Sequence, residues 1–197
     1  MSEPTTLLSL AGADLNPPKL SDSCLVIIDM QNEYLDGPLK IPNAKQAIAS
    51  AQNLLSKIRK ANGKVIHIAH KGKEGSLFDR DTERGQIVDE LTPLENEPLI
   101  EKSLPNSFAG TDLDEQLKEL NMKEVIFVGF MSHMCVSSTA RAALDLGYRS
   151  TIEETACGTR DLPNGKGGII DAQAMHDAAM VGLSDRFAVI ARGYDWQ

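Results

Sequence analysis

Val125-Ile126-Phe127-Val128-Gly129-Phe130-Met131-Ser132-His133-Met134-Cys135-Val136 is the stretch that decides the fold. Its first half is a continuous apolar run, the pattern of a strand buried on both faces. Its second half passes into a helical pattern that continues through Ala140, Ala143 and Leu144. Cys135 stands at the junction, in the expected first turn of that helix. There a thiol meets unpaired backbone N–H groups and the positive end of the helix dipole, and both favour thiolate. A cysteine in mid-helix on an apolar face is instead an ordinary small hydrophobe.

Working outward, strand and helix patterns alternate. Cys24-Leu25-Val26-Ile27-Ile28-Asp29 is a second buried-strand run. A helical pattern from about Ala44 to Ala61 carries Leu54, Leu55 and Ile58 on one face and stops at Asn62-Gly63. Val65–Ala69 reads as a strand, and a long polar connection over 71–97 holds a short helix near Ile87–Leu91. Leu99–Lys102 is a short strand, and a helix over Asp112–Leu120 leads into the strand at 124–129. After the Cys135 helix come a strand at Arg149–Glu153, a Gly- and Pro-rich loop over 157–168, a helix at Asp171–Leu183 and a last strand at Ala188–Ile190. Alternating β and α with buried strands means an α/β fold: a parallel sheet with helices on both faces. Ligands bind such sheets outside the carboxyl ends of the strands. Asp29, Lys102 and Cys135 reach that edge from three distant parts of the chain.

A length of 197 residues suits one domain over 21–197, preceded by an arm over 1–20. Asn16-Pro17-Pro18 makes the arm extended, to lie on a neighbouring subunit or on its own domain. A net charge of −8 with no basic block speaks against a nucleic-acid partner. The longest apolar runs are of strand length, so no membrane span is expected. Met1–Leu20 has no basic stretch followed by a long apolar one, so no signal peptide is expected either. Three cysteines (Cys24, Cys135 and Cys157) without a C-x-x-C spacing argue against a disulfide framework or a zinc site, and point to a cytoplasmic protein with reduced thiols. No G-x-G-x-x-G follows the first strand, so no dinucleotide is expected, nor any other cofactor.

Several blocks in this order resemble the isochorismatase-like cysteine hydrolases, which include nicotinamidases, N-carbamoylsarcosine amidases and isochorismatases. They are Leu25-Val26-Ile27-Ile28-Asp29-Met30-Gln31-Asn32, Glu101-Lys102, Gly129 to Val136, Ala140 to Tyr148, and Thr159-Arg160-Asp161. The resemblance spans about Leu20 to Ala191. It implies a three-layer α-β-α, Rossmann-like fold with six parallel strands, and an Asp29–Lys102–Cys135 triad. It also implies a cis peptide at Phe130-Met131, an oxyanion hole from the Met131 and Cys135 N–H groups, and homodimers or homotetramers. Related nicotinamidases hold a metal through an Asp-x-His pattern after the second strand. His70-Lys71-Gly72 stands there instead, so no metal is expected.

In that family chemistry Cys135 attacks a carbonyl, Asp29 moves the proton, and Lys102 favours both anions. The bland alternatives are a turn-capping Asp29, a surface Lys102 and an inert core Cys135. Cys24 and Cys157 read as packing residues, as do His67 and His176. Position and size make Asn32, Tyr34, Leu35, His70, Phe78 and Phe108 pocket candidates for a small-molecule substrate. His133 lines the pocket, caps the helix or faces solvent. Three functions compete: cleavage of a C–N bond in a small amide or carbamoyl compound through a thioester, vinyl ether hydrolysis with Asp29 as proton donor, and ligand binding without turnover.

Overall fold

The computed structural model describes residues 3–196. In chain order the strands are β1 (Ser23–Ile28), β2 (Lys64–His70), β3 (Leu99–Lys102), β4 (Glu124–Phe130), β5 (Arg149–Gly158), β6 (Leu162–Pro163), β7 (Ile169–Ile170) and β8 (Val189–Ala191). The helices are α1 (Leu7–Leu10), α2 (Glu33–Asp36), α3 (Ala44–Lys60), α4 (Leu113–Glu119), α5 (Ser137–Asp145) and α6 (Ala172–Ser184).

Six strands form one sheet in the order β3-β2-β1-β4-β5-β8, and every pairing in it is parallel. Strand order reverses between β1 and β4. In sheets of this kind the loops after two such strands leave in opposite directions, and ligands bind at that switch point. β1 shows how the layers form. Leu25 and Ile27 pack toward α3, and Cys24, Val26 and Ile28 pack toward α4, α5 and α6. All six β1 residues are buried. The apolar run in the sequence is thus a strand covered on both faces.

α3 buries Ala47, Ile48, Ala51, Leu54, Leu55 and Ile58, the i, i+3, i+4 stripe expected of a helix lying on a sheet. Its end differs in detail from the expected glycine stop. Asn62 takes the left-handed turn at φ 59°. The Gly63 N–H closes back on Ile58 O and the Asn62 N–H on Arg59 O. Gly63 is required for space, since a Cβ there would lie 2.3 Å from the Leu20 carbonyl.

Other expectations are sharpened or corrected. The short helix expected near Ile87–Leu91 is a single 3-10 turn, Asp89–Leu91, and a second such turn, Glu83–Gly85, precedes it. β5 does not stop at Glu153 but runs to Gly158, and the loop after it contains the β6–β7 hairpin. Cys135 lies in a π-helical turn, Ser132–Val136, that precedes α5. Of the two places open to the arm, the described residues show it on its own chain. Arg149 donates to the carbonyls of Asp14 and Asn16, and the Leu7 and Leu8 N–H groups bond Asp185.

Gly129 controls how closely β4 approaches β1. It has φ 130°, and a Cβ on it would lie 2.0 Å from Ile28 O, a backbone atom of the paired strand. Gly129→Ala therefore combines backbone strain with a clash that no side-chain rotation relieves. A loss of roughly 3–5 kcal/mol is expected in urea unfolding, whereas Gly147→Ala, in open space though also at positive φ, is expected to lose less.

Candidate active site

Three buried groups meet at the switch point. Asp29 follows β1 directly, with φ 52° and its N–H bonded to Ile68 O. This left-handed backbone is uncommon outside glycine and marks a position held by its surroundings. Lys102 ends β3, and its register partner on β2 is His70. Lys102 Nζ donates to Asp29 Oδ2 at 2.6 Å and lies 3.4 Å from Cys135 Sγ. Asp29 and the Lys102 side chain are fully buried, and Cys135 is 4% exposed.

Burial dominates the electrostatics. It pushes the Asp29 carboxyl up, against the Lys102 charge and hydrogen bonds from Lys102 and Cys135. Burial also pushes the Cys135 thiol up to about 12, the Asp29 charge adds to this, and Lys102 opposes it. The expectation of a helix-end thiolate is corrected here. Cys135 sits in a desolvated π-turn beside the Asp29 carboxyl, and burial there opposes the thiolate that a helix end would favour. Asp29 Oδ1 is buried and has no hydrogen-bond partner among the described residues.

The peptide bond between Phe130 and Met131 is cis. Met131 then caps the π-turn, its carbonyl taking the N–H groups of Met134 and Val136. Ser132 anchors the turn from below through a 2.7 Å hydrogen bond with His176 on α6. His176 is thus a packing residue tied to the site.

The pocket candidates separate into two sets. Tyr34 packs on Phe78 and Phe130, with centroids 5.2 and 5.3 Å away, and the charges of Asp29 and Cys135 bear on its hydroxyl. His70 stacks edge-on against Phe78 and feels both Lys102 and Asp29. Burial and Lys102 lower its pKa, which favours neutral imidazole. Phe78 holds φ 61° to reach this position. His133 makes no capping bond; it is half-buried and bonded through Nδ1 to Thr159 Oγ1 at 2.7 Å. These four residues gather near the buried cluster. Leu35 packs against the core cluster that contains Tyr34 and Met131.

Asn32 and Phe108 do not belong with them. Asn32 is committed to the β2–β3 connection, its side chain donating to Glu83 O and its N–H to Gln86 O. Phe108 stacks on Tyr148, which precedes β5 at the opposite end of the sheet, with centroids 5.9 Å apart. Position near a strand end suggested Phe108, but its loop folds back along α5.

Two residues of the quoted blocks had been given no role. Gln31 is fully buried, donates to the carbonyls of His70 and Gly85, and accepts the His70 N–H. It clamps the end of β2 to the long connection, and an amide directly after a buried strand was the available signal. Arg160 stands beyond the unexpected extension of β5. Among the described residues no three His, Cys, Asp or Glu side chains are disposed to hold a metal ion.

The model of the isochorismatase domain matches residues 23–193. The chain belongs to the isochorismatase family. A secreted isochorismatase effector of Verticillium dahliae is 37% identical over 95% of this chain and 96% of its own length. An isochorismatase of Pseudomonas putida KT2440, known from its crystal structure, superposes with a TM-score of 0.92 at 45% identity, covering 96% of this chain and 97% of that one. A ureidoacrylate amidohydrolase of Agrobacterium fabrum is 28% identical over 70% of this chain and 76% of its own. The family is hydrolytic, and the six-stranded parallel sheet flanked by helices is its fold.

The charges around Cys135 give opposite signs for two substitutions. Asp29→Asn removes a negative charge beside the sulfur and lowers the thiol pKa. Lys102→Met removes the opposing positive charge and raises it. At pH 8 iodoacetamide is expected to alkylate Cys135 about tenfold faster in the first variant and about tenfold slower in the second, one pKa unit each way. Peptide mass spectrometry over time reads both rates.

Proposed function

We propose that the chain is a cysteine hydrolase that cleaves a C–N bond in a small amide or carbamoyl compound. The observation that carries this reading is the Lys102 ammonium bonded to Asp29 and 3.4 Å from the Cys135 sulfur, with all three groups out of solvent. A binding protein has no use for that arrangement. An amidohydrolase among the relatives supports the choice of bond.

The reaction runs from the resting thiol. As Cys135 Sγ attacks the carbonyl carbon, its proton passes to the Asp29 carboxyl, to which the thiol is already bonded. Burial has raised this carboxyl, which makes it a stronger base than an exposed aspartate. The carbonyl oxygen gains the negative charge and is met by the Met131 and Cys135 N–H groups, donors typically worth about 3–4 kcal/mol each. Collapse breaks the C–N bond, and Asp29 returns the proton to the leaving nitrogen. Water then adds to the thioester with Asp29 again as base, and collapse breaks the C–S bond, releasing the carboxylic acid while Asp29 returns the proton to the Cys135 sulfur. Lys102 remains cationic throughout and compensates whichever neighbour carries the negative charge.

One observation favours a second reading. The burial that raises Asp29 also suits it to be protonated at rest, the state needed to donate a proton to a vinyl ether. Two of the relatives are named isochorismatases. Cys135 has no covalent role in that chemistry.

Cys135→Ala separates the two. The C–N reading expects turnover to fall at least ~10³-fold, with unchanged circular dichroism. It also expects the wild type, quenched in acid during turnover, to carry an acyl mass on the Cys135 peptide. Retained turnover in Cys135→Ala, together with loss in Asp29→Asn, establishes the vinyl ether reading in its place.

A further inference from the structure

A second cluster of charged groups lies away from the triad, where the chain enters β3. The Glu97 side chain is 6% exposed. Its carboxylate accepts from Arg59 Nε at 2.8 Å and Nη2 at 2.7 Å, the paired fork of a guanidinium. It also accepts the Leu94 N–H at 2.9 Å and meets His67 Nε2 at 3.0 Å. His67 Nδ1 is buried without a partner among the described residues, so the ring's hydrogen bond goes to Glu97. Arg59 continues to the Thr92 carbonyl, and the His67 N–H bonds Pro98 O at 2.8 Å. Burial opposes the Glu97 charge, yet Arg59, the Leu94 N–H and His67 outweigh it and hold the carboxyl at about 2. One carboxylate thus joins α3, β2 and the segment that leads into β3.

The strand that follows is the one that carries Lys102. β3 is four residues long and lies at the edge of the sheet, paired to β2. Its residues alternate, with Leu99 and Glu101 exposed and Ile100 and Lys102 buried. A slip of one residue would turn Lys102 outward and bring Glu101 into its place. Beyond the ladder itself, the far end of β3 is held by the Lys71 N–H on Lys102 O and by ion pairs of Glu101 with Lys71 and Arg80. The Lys71 and Glu101 side chains are exposed, and pairs of that kind hold little. A short edge strand has few bonds to fix its register, which leaves the buried Glu97 cluster as the strong hold. Glu97 stands roughly 16 Å of extended chain before Lys102.

We propose that Glu97, gripped by Arg59 and His67, is a positioning residue for Lys102: it sets the register of β3 on β2 and so places the ammonium against Asp29 and Cys135. Its weight in turnover rests on the C–N reading, whereas the placement of Lys102 does not. Lys102 opposes the rise of the Cys135 thiol pKa. A β3 that loses its register therefore reports itself as a less reactive thiol, with no substrate present.

Iodoacetamide alkylation of Cys135 at pH 8 is timed by peptide mass spectrometry in the wild type, Glu97→Gln, Lys102→Met and the double variant, at a temperature where circular dichroism shows each folded. Glu97→Gln keeps the shape of the side chain and removes its charge. It is expected to slow alkylation about fivefold, part of the tenfold loss expected of Lys102→Met. In the Lys102→Met background the same change is expected to leave the rate within about twofold, because the group it positions is gone. Arg59→Gln alters the half-buried end of the cluster and is expected to slow alkylation about threefold, with the same dependence on Lys102. It decides the matter if Glu97→Gln does not fold. An unchanged or faster rate with Lys102 present overturns the proposal. So does an equal change in both backgrounds, which marks a general loosening of the fold. Trapping of an acyl group at Cys135 during turnover reports on the C–N reading separately, so either idea can fail alone.

Discussion

An ammonium and a carboxylate packed 2.6 Å apart without solvent are the constraint on which the site depends. Removing two such charges from water costs several kcal/mol per ion, and their attraction repays this only in good geometry. The pair is thus a poor device for stability, and a hydrophobic pair of similar volume would serve the core as well. Its value lies in fixing a charge pattern. Lys102 can only sit there because Asp29 does, and the Asp29 carboxyl stays within reach of Cys135 because Lys102 holds one of its oxygens. The other oxygen is left without a partner.

The sheet supplies the rigidity that this pair needs. β3, β1 and β4 each contribute one member of the cluster, from positions 102, 29 and just past 130. No single loop could bring them together without parallel register to align the strand ends. Tight approach of β4 to β1 depends on Gly129, and the end of β2 is held by the Gln31 amide. The left-handed backbone at Asp29 is tolerated because its N–H is locked to Ile68 O, a ladder bond carried one residue past the strand. Local strain at the functional residue is thus offset by regular pairing next to it.

Much of the fold was legible in the sequence because strands buried on both faces write themselves as apolar runs. β1, β2 and β4 are of that kind, and their carboxyl ends named Asp29 and Cys135 directly. β5 was read short for a physical reason. Glu153-Glu154-Thr155 breaks the apolar pattern, yet Glu153 is buried, its carboxylate accepting from Trp196 Nε1 and from Thr155. A bulge there lets the strand resume and run on to Gly158. Missing that extension hid where Arg160 would arrive. The ionisation of Cys135 was misread because helix-end arguments count dipoles and N–H groups but not burial. Burial is a property of the assembled layers and outweighs both. Phe108 failed as a pocket residue because adjacency to a strand end in sequence says nothing about which way a long loop turns.

The site's charge balance differs from that of the whole protein. A net charge of −8 repels anions at long range. At physiological ionic strength that field is screened beyond about 8 Å, so it governs approach and not the last contact. Within the pocket Asp29 and Lys102 cancel, Cys135 is held as a thiol, and burial drives His70 and His133 toward neutrality. Two opposite charges outside the triad, those of the buried Glu33 and of Arg160, also bear on the Tyr34 hydroxyl. The charge that a ligand would meet at the triad is therefore set by burial and by which groups hold a partner, and not by the sign of the protein as a whole.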